Sequence, residues 1–235
     1  AQGKAMLDHL EGRRAFEIIE RDDGYFDVSG GPEIYFLPHE EWREEEKEVI
    51  EFADGRILDI GCGAGKHSLY LQENGFKVTG IDISPDAIET ARRRGLNDVR
   101  GLSIREVSTD MGCYDTILMM GNNFGLFESF TLARELLRDF HRLTSGDARI
   151  IAETRNPYET DIPEHLEYHK MNREKGRMGG QLKLRVIYKK LKTPWFDYLI
   201  VSREELKNIL RNTGWIIEKI IEGESGIYEM VLEKE

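Results

Sequence analysis

The chain has 235 residues, of which 40% are hydrophobic and 33% charged, and its formal net charge at pH 7 is −11. This length and apolar content suffice for one elaborated domain with a full core. The acidity disfavours non-specific nucleic-acid binding, which depends on neutralising phosphates. No stretch approaches the ~18 consecutive apolar residues of a membrane span, and the N-terminus lacks the apolar centre of a signal peptide. We therefore expect a soluble, cytoplasmic protein.

The cysteines and the N-terminus further limit what to expect. Cys62 and Cys113 stand far apart, with no CxxC pair and no histidine cluster, so we predict neither a disulfide framework nor a metal site. Residues 1–5 read as an added tail before a native start at Met6, and we leave them out of the predicted fold.

The first part of the chain predicts helices around an aromatic connection. Apolar residues spaced among charges predict a rough amphipathic helix over residues 6–21. An irregular, aromatic-rich stretch follows, and residues 40–55 predict a second helix with acidic early turns that ends before Gly55. We group residues 6–55 as an N-terminal helical lid segment.

From residue 56 the pattern becomes regular. Strand-like runs alternate with helical segments that begin after residue 65, after Ser84 and across residues 128–143. Alternating strands and helices predict a parallel sheet covered on both faces, a doubly wound α/β core over residues 56–155. The strand-like runs are 56–61, 77–83, 99–104, 114–120 and 148–154.

The last third predicts an insertion and a return to the core. Residues 156–201 contain a connection too long for an ordinary loop and two strand-like runs, so we assign them to an inserted cap. Residues 202–235 predict a helix and two final strands that complete the sheet.

A glycine-rich loop after the first core strand is the main functional signal. A phosphate-gripping loop of the Walker type fails at two positions, where Ile60 replaces a glycine and His67 replaces a hydroxyl. The dinucleotide pattern GxGxxG fails at one position, because Lys66 stands where the third glycine belongs. Neither pattern is complete.

Two carboxylates near the loop help to decide which nucleotide-like ligand the loop binds. Asp82 closes the second core strand about where a ribose-binding carboxylate belongs, which favours an adenosine-like ligand over a nucleoside triphosphate. Asp59 stands two residues before the first glycine, where it would repel a pyrophosphate and attract a ligand with an amino group and a positive charge. S-adenosylmethionine has both.

At these residues the chain resembles the class I S-adenosylmethionine-dependent methyltransferases. Their first motif, an acidic residue followed by GxGxG, matches Asp59–Gly65, and "GIDIS" and "YDTILMMGN" match later motifs within residues 56–155. The resemblance implies a Rossmann-like, mostly parallel seven-stranded sheet with N-terminal helices and a β-rich insertion on the substrate side. It also implies S-adenosylmethionine as cofactor and S-adenosylhomocysteine as product.

The resemblance also implies cofactor contacts. Gly61 and Gly63 would let the backbone approach the methionine part, and Asp59 would face its amino group directly or through water. Asp82 would accept hydrogen bonds from both ribose hydroxyls, and Ile83 would pack on the adenine. The remaining implied contacts are Cys62, Ser103, Ile104, Met120, Gly121 and Asn122. Ser103 stands where many relatives carry an aspartate that accepts from the adenine amino group.

The acceptor side yields weaker candidates. Candidate catalytic residues are His39, Tyr35, Asn122, Asn123 and Arg155. The aromatic segment with the first two could cover the cofactor or simply pack on the sheet edge, and the asparagines could orient a substrate or form a turn. Their loop, "GNNFG", lacks the prolines of relatives that methylate the amino groups of bases or glutamine.

One segment departs from the overall acidity. Residues 168–192 hold nine Lys or Arg against one acidic residue, Glu174. They could steer an anionic acceptor such as RNA. Alternatively, they form a half-buried strand with a solvated basic face, which could meet an acidic surface such as residues 40–51.

We predict a methyltransferase that acts on a small-molecule acceptor. An RNA methyltransferase that uses the basic segment is the alternative, and a non-catalytic S-adenosylmethionine-binding subunit is another. A nicotinamide-dependent oxidoreductase is less favoured, and oligomers remain open.

Overall fold

A computed structural model describes all of residues 1–235, which form two sheets and seven α-helices. The helices are α1 (Gln2–Leu10), α2 (Glu44–Ile50), α3 (Lys66–Glu73), α4 (Pro85–Arg93), α5 (Phe130–Leu143), α6 (Pro163–Glu174) and α7 (Arg203–Leu210). The strands are β1 (Ile18–Arg21), β2 (Phe26–Val28), β3 (Arg56–Ile60), β4 (Lys77–Asp82), β5 (Val99–Gly101), β6 (Tyr114–Met119), β7 (Thr144–Arg155), β8 (Gln181–Tyr188), β9 (Leu191–Lys192), β10 (Phe196–Leu199), β11 (Trp215–Glu222) and β12 (Ile227–Lys234). None of the helices combines the length and the apolar character needed to cross a membrane.

The larger sheet confirms the predicted doubly wound core. Its seven strands run in the order β11-β12-β7-β6-β3-β4-β5. Strands β3 to β7 pair in parallel, and β12 joins antiparallel to β7. The inner strands are buried on both faces, as the continuous apolar runs predict. Ser84 begins α4 as predicted, since its Oγ accepts from the Ala87 N–H with Pro85 as the first helical residue.

Two apolar layers hold the helices against this sheet. The main core lies on the side of α5 and α7 and contains Phe127, Phe140 and Trp215. The second core lies on the side of α2 and includes Trp42 and Ile50. The carboxyl ends of β3, β4, β6 and β7 therefore meet at one edge, between the two layers.

A second, antiparallel sheet contains strands from both the predicted lid segment and the predicted cap. Its strands run β10-β8-β1-β2, with β9 paired to β8. The predicted helix over residues 6–21 is wrong beyond Leu10, because Gly12 adopts a left-handed φ of +75° that ends the helix. Ile18 and Ile19 instead pair with β8, where β-branched side chains fit a strand. The N-terminal segment is therefore only partly helical.

The first residues belong to the fold, contrary to their exclusion above. Ala5 is fully buried in α1. Gly3 packs so closely on the start of α4 that a Cβ there would lie 2.0 Å from the Ser84 Oγ. Helix α1 therefore lies beside the N-terminus of α4, next to the glycine loop.

Candidate functional site

The glycine loop after β3 has a backbone that requires glycine. Gly61 and Gly63 have φ values of +75° and +54°, a region that side chains rarely enter. The N–H groups of Gly61 and Cys62 both donate to the Ile81 carbonyl, at 2.8 and 3.0 Å. The loop is therefore fixed to the end of β4. Because Gly63 has no side chain, its backbone is not shielded by the residue itself.

Asn123 supports this loop through its side-chain amide. Its Nδ2 donates to the carbonyls of Ile60 and Gly61, at 3.0 and 2.9 Å. A Cβ at Gly61 would lie 2.6 Å from the same nitrogen. The amide nitrogen of Asn123 is therefore bound to the loop, and the candidate catalytic role of this residue stays a prediction.

Asp82 ends β4 with both oxygens beside the loop. Its Oδ2 accepts from the Gly63 N–H at 3.1 Å, and its Oδ1 accepts from the Ser84 N–H at 2.8 Å. Burial raises the pKa of Asp82, and these backbone N–H groups act in the opposite direction. Each carboxylate oxygen retains a free lone pair, so the side chain can still accept two ribose hydroxyls.

The predicted adenine side is open. The Ile83 side chain is 77% exposed and borders a pocket of about 410 Å³ that Ser103 also lines. The Ser103 Oγ accepts from the Arg105 N–H at 3.3 Å and caps a 3-10 turn over Ile104–Glu106. Ile104 is buried in the main core, so only its backbone can face a ligand.

Asp59 lies beneath the loop and not at its surface. The side chain is only 3% exposed, and its Oδ2 accepts a 2.6 Å hydrogen bond from the Ser68 hydroxyl of α3. Burial raises the pKa of Asp59 to about 7, and the charge of Asp82 acts in the same direction. The predicted contact with the cofactor's amino group thus requires water or a shift of the loop.

Two other predicted cofactor residues have buried side chains. The Cys62 thiol packs against α3 and α4, and Met120 packs in the second core. Their backbones alone reach the edge. Beyond them, Gly121 and Asn122 have left-handed φ values of +70° and +62°. The Asn122 Oδ1 is buried without a hydrogen-bond partner.

The N-terminal segment covers the glycine loop. A Cβ at Gly63 would lie 3.3 Å from the Met6 Cε, so α1 sits directly against the loop. The Arg94 guanidinium donates to the Tyr35 and Ala64 carbonyls, at 3.1 and 2.7 Å, and lies over the Phe36 ring. These contacts fasten the aromatic segment beside the loop, where the sequence predicted a lid.

His39 lies elsewhere. Its ring stacks on Tyr70 of α3 with a centroid distance of 4.2 Å and meets Trp42 edge-on. His67 packs against the other side of Trp42, and burial lowers the pKa of His67 to about 3. Both histidine rings therefore belong to an aromatic cluster packed against α3, and the catalytic role of His39 stays a prediction.

A buried group of charges, which sequence reasoning missed, lies at the ends of β7 and β12. The Arg43 guanidinium contacts Glu153 at 2.5 Å and both Glu229 and Glu46 at 3.2 Å. Glu46 also accepts from the Lys66 Nζ at 2.8 Å. Glu153 and Glu229 are cross-strand partners in the sheet. Only the alternation of each glutamate with apolar residues in its strand could have signalled an inward side chain.

Tyr198 of the second sheet closes over this edge. Its hydroxyl donates to the Asn122 carbonyl at 2.5 Å, and its ring lies so close to Gly125 that a Cβ there would be 2.1 Å from it. Burial raises the pKa of Tyr198, and so does the charge of Glu153. Burial, followed by Glu17 and Glu153, raises the pKa of Tyr35 to about 12. Both tyrosines therefore lie within electrostatic reach of Glu153.

The remaining candidate, Arg155, lies at the exposed end of β7. Its charge lowers the pKa of Tyr198 against the larger effect of burial. Just beyond it, the Tyr158 hydroxyl donates to Glu205 of α7 at 2.6 Å. Arg155 thus stays a candidate.

The basic segment follows the half-buried strand interpretation. In β8, Arg185 pairs with Glu20 at 2.5 Å and Lys183 with Asp197 at 3.4 Å. Beyond it, Lys189 pairs with Asp8 at 2.5 Å. The acidic partners come from α1, β1 and β10, so the suggested partner surface at residues 40–51 is wrong.

Comparisons with known proteins agree with this architecture. A family model described as a methyltransferase domain matches residues 57–146. A solved S-adenosylmethionine-dependent methyltransferase from Bacteroides fragilis, in complex with S-adenosyl-L-homocysteine, superposes with a TM-score of 0.82 at 26% identity, over 99% of this chain and 94% of that one. The chain belongs to the class I S-adenosylmethionine-dependent methyltransferases. This confirms the predicted family, fold and cofactor class.

Sequence relatives of this methyltransferase differ in their substrates. It is 32% identical over 108 residues, 43% of its length, to a glycine/sarcosine/dimethylglycine N-methyltransferase of Actinopolyspora halophila, of which the match covers 19%. It is 31% identical over 133 residues, 52% of its length, to the ribosomal RNA small subunit methyltransferase C of Shigella flexneri, of which the match covers 38%. The chain thus spans well under half of these relatives.

Proposed function

We propose that this methyltransferase binds S-adenosylmethionine at the glycine loop and transfers its methyl group to a small-molecule acceptor. The left-handed Gly61 and Gly63 shape the loop whose backbone would contact the methionine part, and Asp82 offers two oxygens to the ribose. Asp59 supplies negative charge beneath the loop. This donor set suits a cationic nucleoside that carries an amino group.

The cofactor supplies an electrophilic methyl group on a sulfonium. This chain's residues therefore bind and orient both partners and exclude water, which is the main catalytic requirement of a direct displacement. The loop and Asp82 would fix the donor. The acceptor would approach from the ends of β6 and β7, near Asn122 and Glu153.

The observation that carries the small-molecule proposal is the closure of this edge by Tyr198. Its hydroxyl bond to the Asn122 carbonyl fastens the second sheet over the acceptor side, while Arg94 fastens the aromatic segment beside the glycine loop. Such a covered cleft suits a small acceptor better than a folded RNA. The ion pairs of β8 also reduce the basic charge available to RNA.

The test is transfer of labelled methyl groups from S-adenosylmethionine into a cell extract, with products separated into small molecules, RNA and protein. We expect label in the small-molecule fraction. Label in nuclease-sensitive material would favour the RNA alternative, with retention that weakens as salt rises. Cofactor binding without any labelled product would favour the non-catalytic subunit.

A further inference from the structure

Several buried side-chain oxygen atoms have no hydrogen-bond partner. They include the Asn122 Oδ1, the Glu229 Oε2 and the Thr154 Oγ1 near the end of β7, and the Glu17 Oε1 before β1. Buried polar atoms in folded proteins nearly always have partners, and an amide oxygen can only accept. A carboxyl oxygen accepts when the group is ionised, whereas burial and the neighbouring glutamates raise the pKa of Glu229 to about 9. A cation that binds here would favour the ionised form of Glu229, and a group that satisfies the Asn122 Oδ1 must donate a hydrogen bond.

Asn122 and Glu229 lie near the carboxyl end of β7. Ala152 pairs with Met119 of β6, so Glu153 lies level with Met120. Gly121 and Asn122 follow Met120 directly in the chain. Glu229 is the cross-strand partner of Glu153. Glu17 directly precedes β1, and Glu17 and Glu153 both raise the pKa of Tyr35 after burial, so Tyr35 lies within electrostatic reach of both carboxylates.

The charges at this edge favour a cation. Glu46, Glu153 and Glu229 share the single Arg43 guanidinium, and Lys66 neutralises only Glu46 among them. Glu17 has only the Ser29 hydroxyl, at 2.8 Å. An anionic acceptor would meet like charges in a poorly hydrated site, whereas an ammonium group would gain both charge pairing and hydrogen-bond acceptors.

We propose that the methyl acceptor is an amine, which Glu153 binds as the ammonium form and deprotonates before methyl transfer. This inference rests on the proposed function. The proton passes from the acceptor nitrogen to the Glu153 carboxylate. The freed nitrogen lone pair then forms the new N–C bond as the C–S bond breaks, and the electron pair of that bond goes to sulfur.

The surroundings of Glu153 suit this step. Burial raises the pKa of Glu153, and the charge of Glu46 adds to that increase, whereas Arg43 and the Asn122 N–H oppose it. A carboxylate with a raised pKa accepts a proton more readily near neutral pH. Tyr35 and Tyr198 would flank the acceptor.

The first experiment uses the wild-type protein with [methyl-¹³C]S-adenosylmethionine and the small-molecule fraction of a cell extract. We expect the labelled product to bind a cation-exchange resin at pH 2 and its methyl carbon to be bonded to nitrogen by NMR. A labelled small molecule with an O-methyl or C-methyl group would overturn the amine proposal and leave the small-molecule function standing. No labelled small molecule would contradict the proposed function itself.

The second experiment compares Glu153→Gln with Glu204→Gln, a change on the exposed surface of α7. We expect Glu153→Gln to lower kcat/KM for the purified acceptor by about 100-fold or more, as loss of a general base does. S-adenosylhomocysteine affinity by calorimetry should stay within about twofold, while Glu204→Gln should change neither quantity. Full activity of Glu153→Gln would overturn the role of Glu153.

Discussion

Replacing Asp59 by asparagine should stabilise the ligand-free protein and weaken cofactor binding. The carboxyl group is fully buried, with a pKa raised from 3.8 to about 7. That shift corresponds to about 4 kcal/mol of destabilisation when the folded protein must keep Asp59 ionised at pH 8. Asparagine removes this charge and keeps the shape. The extra N–H group of asparagine lacks an obvious hydrogen-bond partner, which should lower the free energy of unfolding by about 1–3 kcal/mol.

The pH dependence identifies the cause. Because the folded-state pKa of Asp59 lies above its unfolded value, its contribution to stability is fully present below about pH 4 and is lost as the pH rises through about 7. The wild type should therefore lose stability over this range, and Asp59→Asn should lose less. At pH 4 the variant should be about 1–3 kcal/mol less stable than the wild type, because only the cost of the extra N–H group remains. Above pH 7 the difference should reverse sign, and the variant should be about 1–3 kcal/mol more stable, which is a few degrees in Tm.

Two measurements test this prediction. Thermal unfolding of the ligand-free wild type and variant is followed from pH 4 to pH 9, and calorimetry measures S-adenosylhomocysteine affinity at pH 8. At pH 8 we expect a higher Tm with at least about tenfold weaker binding, because a charged contact is lost. Equal pH slopes for the two proteins would refute the burial argument. Unchanged affinity would refute the role of Asp59 toward the cofactor.

Further substitutions test the loop, the cover and the charge cluster. Gly63→Ala should weaken S-adenosylmethionine binding by at least about tenfold, because φ is +54° there; tight binding by calorimetry would contradict this. Tyr198→Phe loses the hydrogen bond to Asn122 and should lower the free energy of unfolding in urea by about 1 kcal/mol, with a raised KM for the acceptor and unchanged cofactor affinity. Arg43→Met should lower the free energy of unfolding by about 2 kcal/mol. This is less than the loss expected when a fully buried ion pair is broken, because the Arg43 side chain is 35% exposed. That loss should grow as the pH rises through about 9, where Glu229 ionises, and a constant loss would argue against charge as its cause.

The parts that the sequence predicts well depend on local patterns. The β3–loop–α3–β4 unit follows from an apolar run, three glycines and a second apolar run that closes on Asp82. Each feature lies within about 25 residues, where the 2.0 and 3.6 periodicities are legible. The start of α4 at Ser84–Pro85 is equally local. The cofactor side was therefore accessible before the structure.

The parts that the sequence missed depend on distant residues. Arg43, Glu153 and Glu229 form one cluster, although each of these residues lies more than seventy positions from the next one in the sequence. β1 finds its partner β8 far along the chain, and its isoleucines, read locally, suited a helix equally well. Pairings across such distances leave no periodic trace in a single sequence.

The second sheet explains why the N-terminal segment and the inserted cap lie at the same edge of the core. β1 lies between β2 and β8, so the N-terminal segment and residues 156–201 contribute strands to one sheet. Asp8 of α1 reinforces the joint, since it accepts from the Tyr188 hydroxyl at 2.7 Å and pairs with Lys189 at 2.5 Å. Removing the inserted strands would leave β1 with an unpaired edge and Asp8 buried without these partners. The two segments therefore form one structural unit, and the acceptor side depends on both.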